Sequence, residues 1–171
     1  RIQHHTPTST KDTTIKRFFS LTLASLLFAG ASFAQSNVAS QQVAINVAEI
    51  SVIAVHGNIS MTINSAVAGQ APDPASASAT FDVTTNGKKQ KITAELDSKM
   101  PTGLSLYATM AAPNGAKSEG KVELSDKSVD LLKDISQVRA SGLALSYEAV
   151  ATVDADPDNV VRTVTYTITK N

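Results

Sequence analysis

Short runs of alternating apolar and polar side chains fill most of the chain, and this alternation restricts the fold more than any other sequence feature. In the clearest run, Val43, Ile45 and Val47 share one parity, and the phase changes at Ala48 and Glu49. A period of two residues is the signature of a half-buried strand. The sequence therefore predicts an all-β chain, with further strands near 50–55, 59–63, 79–83, 92–96, 104–110, 122–124, 143–151 and 160–168.

Two turns predict β-hairpins. Asn86-Gly87 is a pair favoured in two-residue type I′ turns, and a hairpin there places Phe81 opposite Ile92 on one apolar face. A second predicted hairpin near the end of the chain places Tyr147 opposite Tyr166. In both cases the register puts apolar residues on the same face of the two strands.

One segment breaks the pattern. Asp126 is a helix-capping residue, and Val129, Leu132 and Ile135 follow at near-helical spacing. We therefore predict an immunoglobulin-like antiparallel β-sandwich of about seven to nine strands with at most one short helix. A barrel is the second choice. The paired Cys and core Trp of antibody domains are absent, so the expected likeness is one of architecture.

The N-terminal region predicts export. Lys16 and Arg17 precede an apolar run from Phe18 to Ala31 and a small-x-small site ending at Ala34, as in a secretory signal peptide. We expect residues 1–14 to be an upstream extension outside the native protein, 15–34 the signal peptide, 35–48 an N-terminal arm and 49–171 the β-sandwich. The apolar run is shorter than the roughly 20 residues of a membrane-spanning helix, so no transmembrane segment is predicted.

Composition excludes several classes of function. The sequence has 15 basic and 15 acidic residues. The predicted leader, residues 1–34, holds four of the basic and one of the acidic residues, which leaves 11 basic and 14 acidic residues and a net charge of −3. A mildly acidic chain binds nucleic acid poorly, because the phosphate backbone is also negatively charged. The sequence contains no Cys, so stability is expected from packing and strand pairing rather than disulfides.

No pattern of catalytic residues is present. His56 is the single histidine after the predicted leader, and it stands beside Gly57 in a turn rather than in a hydrolase or zinc-protease motif. We therefore predict no enzymatic activity. Asp154, Asp156 and Asp158 alternate as calcium ligands do, but Asn159 and Thr165 stand where a calcium loop places Gly and Glu. A solvated turn is favoured over a calcium site, and no other cofactor is predicted.

The arm suggests how the protein is used. A strand at the N-terminus, separated by a phase break from the next strand, either pairs within its own domain or completes a neighbouring subunit by strand addition. In the second case head-to-tail contacts generate an open filament. Val43, Ile45 and Val47 are the predicted donor-strand anchors.

Three sequence patterns support a resemblance. The early V-x-I-x-V-x-x-I (Val43 to Ile50), the central K-I-T-A-x-L (Lys91 to Leu96) and the terminal V-T-Y-T-I-T (Val164 to Thr169) resemble uncharacterised secreted bacterial all-β surface proteins. More loosely, the chain resembles fimbrial donor-strand subunits, although it lacks the Cys pair and penultimate Tyr of chaperone-usher pilins. The resemblance implies a secreted subunit whose partners are copies of itself.

Two functions are therefore expected. The first is a structural subunit of an extracellular filament or surface assembly. The second is a monomeric adhesin or ligand-binding module at the cell surface, recognising surface carbohydrate or a host cell through the loops Ser65 to Ser78 and Asp154 to Asn159.

Overall fold

The computed structural model describes residues 37–171, and every helix or strand found in that range is a β-strand. The predicted all-β class is confirmed there. The predicted extension, the signal peptide and the first two residues of the arm lie outside the described residues. The nine strands are β1 (Ser51–His56), β2 (Ala75–Thr85), β3 (Gln90–Leu96), β4 (Leu104–Met110), β5 (Lys117–Ser118), β6 (Val122–Glu123), β7 (Val129–Ile135), β8 (Val138–Ala151) and β9 (Val164–Lys170).

The strands form two antiparallel sheets, as in a β-sandwich. The five-stranded sheet has the order β1-β2-β8-β4-β6, and the four-stranded sheet has the order β5-β7-β3-β9. Between the sheets, β1 contacts β9 and β6 contacts β7. One flank of the sandwich is therefore bounded by β1 and β9, and the opposite flank by β6 and β5.

Alternate residues of both sheets build the core. Phe81 on β2 and Leu145 on β8 face Ile92 on β3 and Leu132 on β7, and all four side chains are fully buried. This is the expected result of packing two alternating sheets face to face. Since each such side chain contributes about 1.5–3 kcal/mol when buried, the core can hold the domain together without disulfides.

Both predicted hairpins are wrong, for the same physical reason. β2 pairs with β1 and β8, whereas β3 pairs with β7 and β9. Asn86-Gly87 therefore joins two sheets instead of two neighbours in one sheet. Likewise β8 and β9 belong to different sheets, and the Tyr147 and Tyr166 hydroxyls meet across the core. An apolar face shared by two strands fits facing sheets as well as it fits a hairpin.

The segment predicted as a short helix is strand β7. Leu131 and Leu132 are adjacent and both fully buried, and the pairing of β7 with β3 contains two register irregularities. These irregularities shift the parity of the strand and produce the helix-like spacing of its apolar residues. The immunoglobulin-like type is not confirmed, because the strand order differs from the ABED and CFG sheets of that fold.

Residues 45–171 form one compact unit. Residues 37–44 belong to a separate unit, contain no strand and are exposed. Within residues 37–171 the structure contains no helix long and apolar enough to cross a membrane.

Candidate subunit interface

The predicted donor anchors are among the most exposed large apolar side chains in the described chain. Val43, Ile45 and Val47 are 72%, 83% and 72% exposed, and residues 37–50 contain no strand. The alternation that predicted a half-buried strand is thus present without the burial. Three apolar side chains on one parity are the kind of surface that a partner covers.

The base of this arm is held by the turn between β2 and β3. Asn86 Nδ2 donates to the Ala48 carbonyl (2.8 Å), and Ile50 N donates to Asn86 Oδ1 (2.7 Å). The backbone N–H of Asn86 also donates to the Ile50 carbonyl at 3.1 Å. The Asn86 side chain therefore binds the residues on both sides of Glu49, where the predicted phase break lies. Strand β1 begins two residues later, at Ser51.

A buried glutamine completes this attachment. Gln90, at the start of β3, is 2% exposed, and its Nε2 donates to Glu49 Oε1 (2.9 Å) and Ser51 Oγ (2.6 Å). A Cβ added to Gly87 would meet the side-chain ends of Gln90 and, at 2.8 Å, of Glu49, so a larger residue there would displace these two side chains. Ala48 to Ser51 are thus fixed to both sheets, whereas Ile45 and Val47 stay exposed.

The flank bounded by β5 and β6 is protected against strand addition. Each of these edge strands has two residues. Charged residues occupy or adjoin both strands, including Lys117, whose Nζ lies 2.9 Å from Asp134 Oδ2, and Lys121, whose Nζ lies 4.5 Å from the Tyr107 ring centroid. Short strands and lysines at an edge are the common devices that discourage pairing with another chain.

The opposite flank has longer edge strands and fewer charges, with Arg162 just before β9 and Lys170 at its end. β1 has six residues and β9 has seven. β1 contains no Lys, Arg, Asp or Glu, and no charged residue lies between Arg162 and Lys170 on β9. Within residues 37–171 each strand has one neighbour in its sheet. Long edges with few charged residues are templates for an additional strand.

A tyrosine pair lies behind the open flank. The Tyr166 hydroxyl on β9 hydrogen-bonds the Tyr147 hydroxyl on β8, which joins the two sheets. Burial raises the pKa of Tyr147, and burial together with the Tyr147 hydrogen bond raises the pKa of Tyr166. Both hydroxyls therefore stay protonated, and Tyr166 contributes an apolar ring to the core beside the open edge of β9.

The predicted calcium candidates form a turn. Asp154, Asp156 and Asp158 are all exposed, and Asp158 Oδ1 accepts a hydrogen bond from Asn159 N at 2.7 Å. Within residues 37–171 no group of three or more acidic or histidine side chains is placed to hold a metal ion.

His56 also has a local role. Its Nε2 lies 3.0 Å from Asp82 Oδ2, while Gly142 N donates to Asp82 Oδ1 at 2.8 Å. The hydrogen bond from Gly142 and then that with His56 lower the pKa of Asp82. Because these exposed residues lie on β1, β2 and β8, the contacts fasten three adjacent strands.

Sequence reasoning found the arm but missed its attachment and the open edge. Asn86 and Gly87 were interpreted as a hairpin turn, and nothing in the sequence marks Gln90 as buried. The uncharged run from Thr163 to Thr169 was a usable signal for an unprotected edge.

Comparison with protein-family models, with curated proteins and with solved structures returned no match to this chain.

Proposed function

We propose that the protein is a structural subunit of an extracellular filament or surface assembly, and that copies join by β-strand donation from the N-terminal arm. The observation that carries the proposal is that one chain has both an exposed apolar arm and a sheet edge that an added strand could pair with. An exposed, uncharged row of apolar residues precedes a sandwich with one flank of long edge strands that carry few charges and one flank of short, charged edge strands. Export by the predicted signal peptide delivers the subunit, and no catalytic role is part of the proposal.

The energetics favour donation to a neighbour. A strand added at an edge gains main-chain hydrogen bonds, and its alternate side chains gain apolar burial. Val43, Ile45 and Val47 supply that burial. Donation from each subunit to the next is a heterologous contact, and such contacts give open filaments when the rotation does not close a ring.

Electron microscopy of secreted full-length protein tests the proposal. We expect filaments from the wild type and none from a variant in which Val43, Ile45 and Val47 are all changed to Asp, because charges cannot replace the buried anchors. The matched control changes Gln42, Ala44 and Asn46 to Asp, which adds the same charge on the other parity and should keep filaments.

Two outcomes would contradict it. Filaments in the anchor variant as abundant as in the wild type would remove the arm from assembly. Folded monomers from every chain, the wild type included, would reject the filament.

A second candidate function is a monomeric carbohydrate-binding module. The observation that favours it is a depression on the five-stranded sheet, where hydroxyl and charged side chains lie beside the Tyr107 ring; its lining includes Ser76, Ser78, Tyr107, Thr109, Lys121, Tyr147 and Glu148. Glycan-array binding that is lost in Tyr107→Ala and kept in Tyr166→Phe, a tyrosine that does not line the depression, would support this function over the filament.

A further inference from the structure

The ladder between β3 and β9 determines which backbone groups face the open edge. Asp97 N donates to the Thr163 carbonyl (2.9 Å), and Asn171 N donates to the Lys89 carbonyl (2.8 Å). Hydrogen-bonded pairs alternate with non-bonded pairs in an antiparallel ladder, so the odd-numbered residues from Thr163 to Asn171 point their backbone groups toward β3. The N–H and C=O groups of Val164, Tyr166 and Ile168 point away from it.

These outward groups are unused within the described chain. No backbone hydrogen bond joins the outward N–H and C=O groups of Val164, Tyr166 or Ile168 to any residue of 37–171. The edge of β9 therefore offers three consecutive rungs. The arm has three anchors, Val43, Ile45 and Val47, at the same spacing of two residues.

The side chains of β9 extend the apolar match. Val164, Tyr166 and Ile168 all pack against the core and all remain partly exposed. A strand laid along this edge would place its own apolar row beside them and continue the core outward. In contrast, β1 contributes only Ile53 to the core, and its Ser51 is committed to hydrogen bonds with Thr85 and Gln90.

Charge also permits pairing of the arm with β9 along residues 163–169. The arm from 37 to 47 contains no charged residue, and neither does the stretch from 163 to 169. The β1 edge ends at His56, which is paired with Asp82. An uncharged strand that pairs with β9 leaves no charge to desolvate, so the Coulombic penalty that protects other edges does not arise.

From these observations we infer that the acceptor of a second copy's arm is the open edge of β9, so that the four-stranded sheet gains a fifth strand from its neighbour. This inference rests on the proposed function and adds the site that receives the arm. Val43, Ile45 and Val47 of one copy lie beside Val164, Tyr166 and Ile168 of the next. Ala44 and Asn46 then share the outer face with Thr165, Thr167 and Thr169.

Cysteine cross-linking tests the inference, because the chain has no native cysteine. Full-length Asn46→Cys is labelled with a heavy isotope and mixed separately with Thr165→Cys, Thr167→Cys and Thr169→Cys. All four positions are exposed and leave the apolar anchors intact. A disulfide between a heavy and a light chain can form only between two copies, and mass spectrometry identifies it.

The matched controls are Val52→Cys and Ala54→Cys, which are exposed positions on the other open edge. Residues directly opposite on adjacent strands of one sheet are within disulfide reach, whereas Val52 and Ala54 lie on the outer face of the other sheet, on the opposite side of the sandwich from the position proposed for Asn46. We therefore expect at least about tenfold more mixed disulfide for the best of the three β9 positions than for either β1 position.

The outcomes distinguish failure of the β9 acceptor from failure of strand donation itself. Filaments that need the arm but cross-link through Val52 or Ala54, or through neither edge, would overturn the β9 assignment and leave strand donation standing. Monomers with no mixed disulfide at any position would overturn both. A double variant, Asn46→Cys with Thr167→Cys, that closes an internal disulfide as a dilute monomer would show pairing within one chain and would also overturn the inference.

Discussion

At the scale of single residues, the two buried tyrosines link the sheets through one hydrogen bond. Tyr147 is 7% exposed and Tyr166 is partly buried, and their hydroxyls satisfy each other across the core. Buried hydroxyls without a partner are costly. The pair therefore keeps two polar groups in the sandwich and fastens edge strand β9 to the central strand β8.

This pair predicts alkaline instability. The pKa of each tyrosine is raised above its ordinary value of 10.0, so above pH 10 the unfolded chain loses protons that the folded chain keeps. The contribution of the tyrosine pair to the free energy of unfolding is fully present below pH 10. It falls as the pH rises above 10, by up to about 1.4 kcal/mol per pH unit for each tyrosine. Urea unfolding from pH 8 to 11.5 measures it.

The control uses the remaining tyrosine. Changing both Tyr147 and Tyr166 to Phe should flatten the alkaline decline, because neither state then carries these protons. Tyr107→Phe, on the outer face of the sheet, should decline as steeply as the wild type. An equally steep decline in the double variant would show that other groups cause the loss.

At the scale of elements, the strands were predictable and their partners were not. Alternation located β4, β8 and β9 because it depends only on which side chains face the core. Pairing depends on which sheet each strand enters, and Phe81 and Ile92 have the same alternation in facing sheets as in a hairpin. β7 was missed because its irregular register imitates helical spacing.

The candidate site divides in the same way. The apolar row of the arm is local in sequence, so Val43, Ile45 and Val47 were identified before the fold. The attachment through Asn86 and Gln90 joins residues 36 to 41 positions apart, and the free edge of β9 exists only once both sheets are ordered. Such features are tertiary, and alternation does not encode them.

The turn between β2 and β3 yields a second prediction. Asn86→Ala removes the side-chain hydrogen bonds to Ala48 and Ile50, so we expect a loss of about 1–3 kcal/mol of unfolding free energy and faster hydrogen exchange at the Ile50 amide. Asn86→Asp keeps the acceptor for Ile50 N and should lose about half as much.

A matched control comes from another turn. Asn114 is exposed, and its side chain makes no hydrogen bond within residues 37–171, so Asn114→Ala should leave the urea midpoint nearly unchanged. If Asn114→Ala cost as much as Asn86→Ala, the attachment of the arm through Asn86 would contribute nothing specific.

At the scale of the whole molecule, the two flanks of the sandwich differ in length and charge. Within residues 37–171, charged, two-residue edge strands bound one side, and longer edge strands with few charges bound the other side. A molecule with one donor and one open flank has two different ends. In the proposed assembly, growth by one-sided addition would follow from that asymmetry without any contact between like surfaces.

A free arm should therefore stop growth. A synthetic peptide of residues 37–48, added in excess during assembly, is expected to occupy the open flank and shift the material from filaments to capped single subunits. Because this peptide carries no charged residue, its effect should change little between low and high salt, unlike binding that depends on ion pairs. Size-exclusion chromatography and electron microscopy measure both effects.

The control peptide carries Asp in place of Val43, Ile45 and Val47 and keeps the same length. It retains the backbone hydrogen-bonding groups but lacks the apolar anchors, so filaments should form as they do without peptide. Equal inhibition by both peptides would mean that the apolar row does not select the flank. Filaments that grow unaffected at every peptide concentration would mean that the arm is not what joins the subunits.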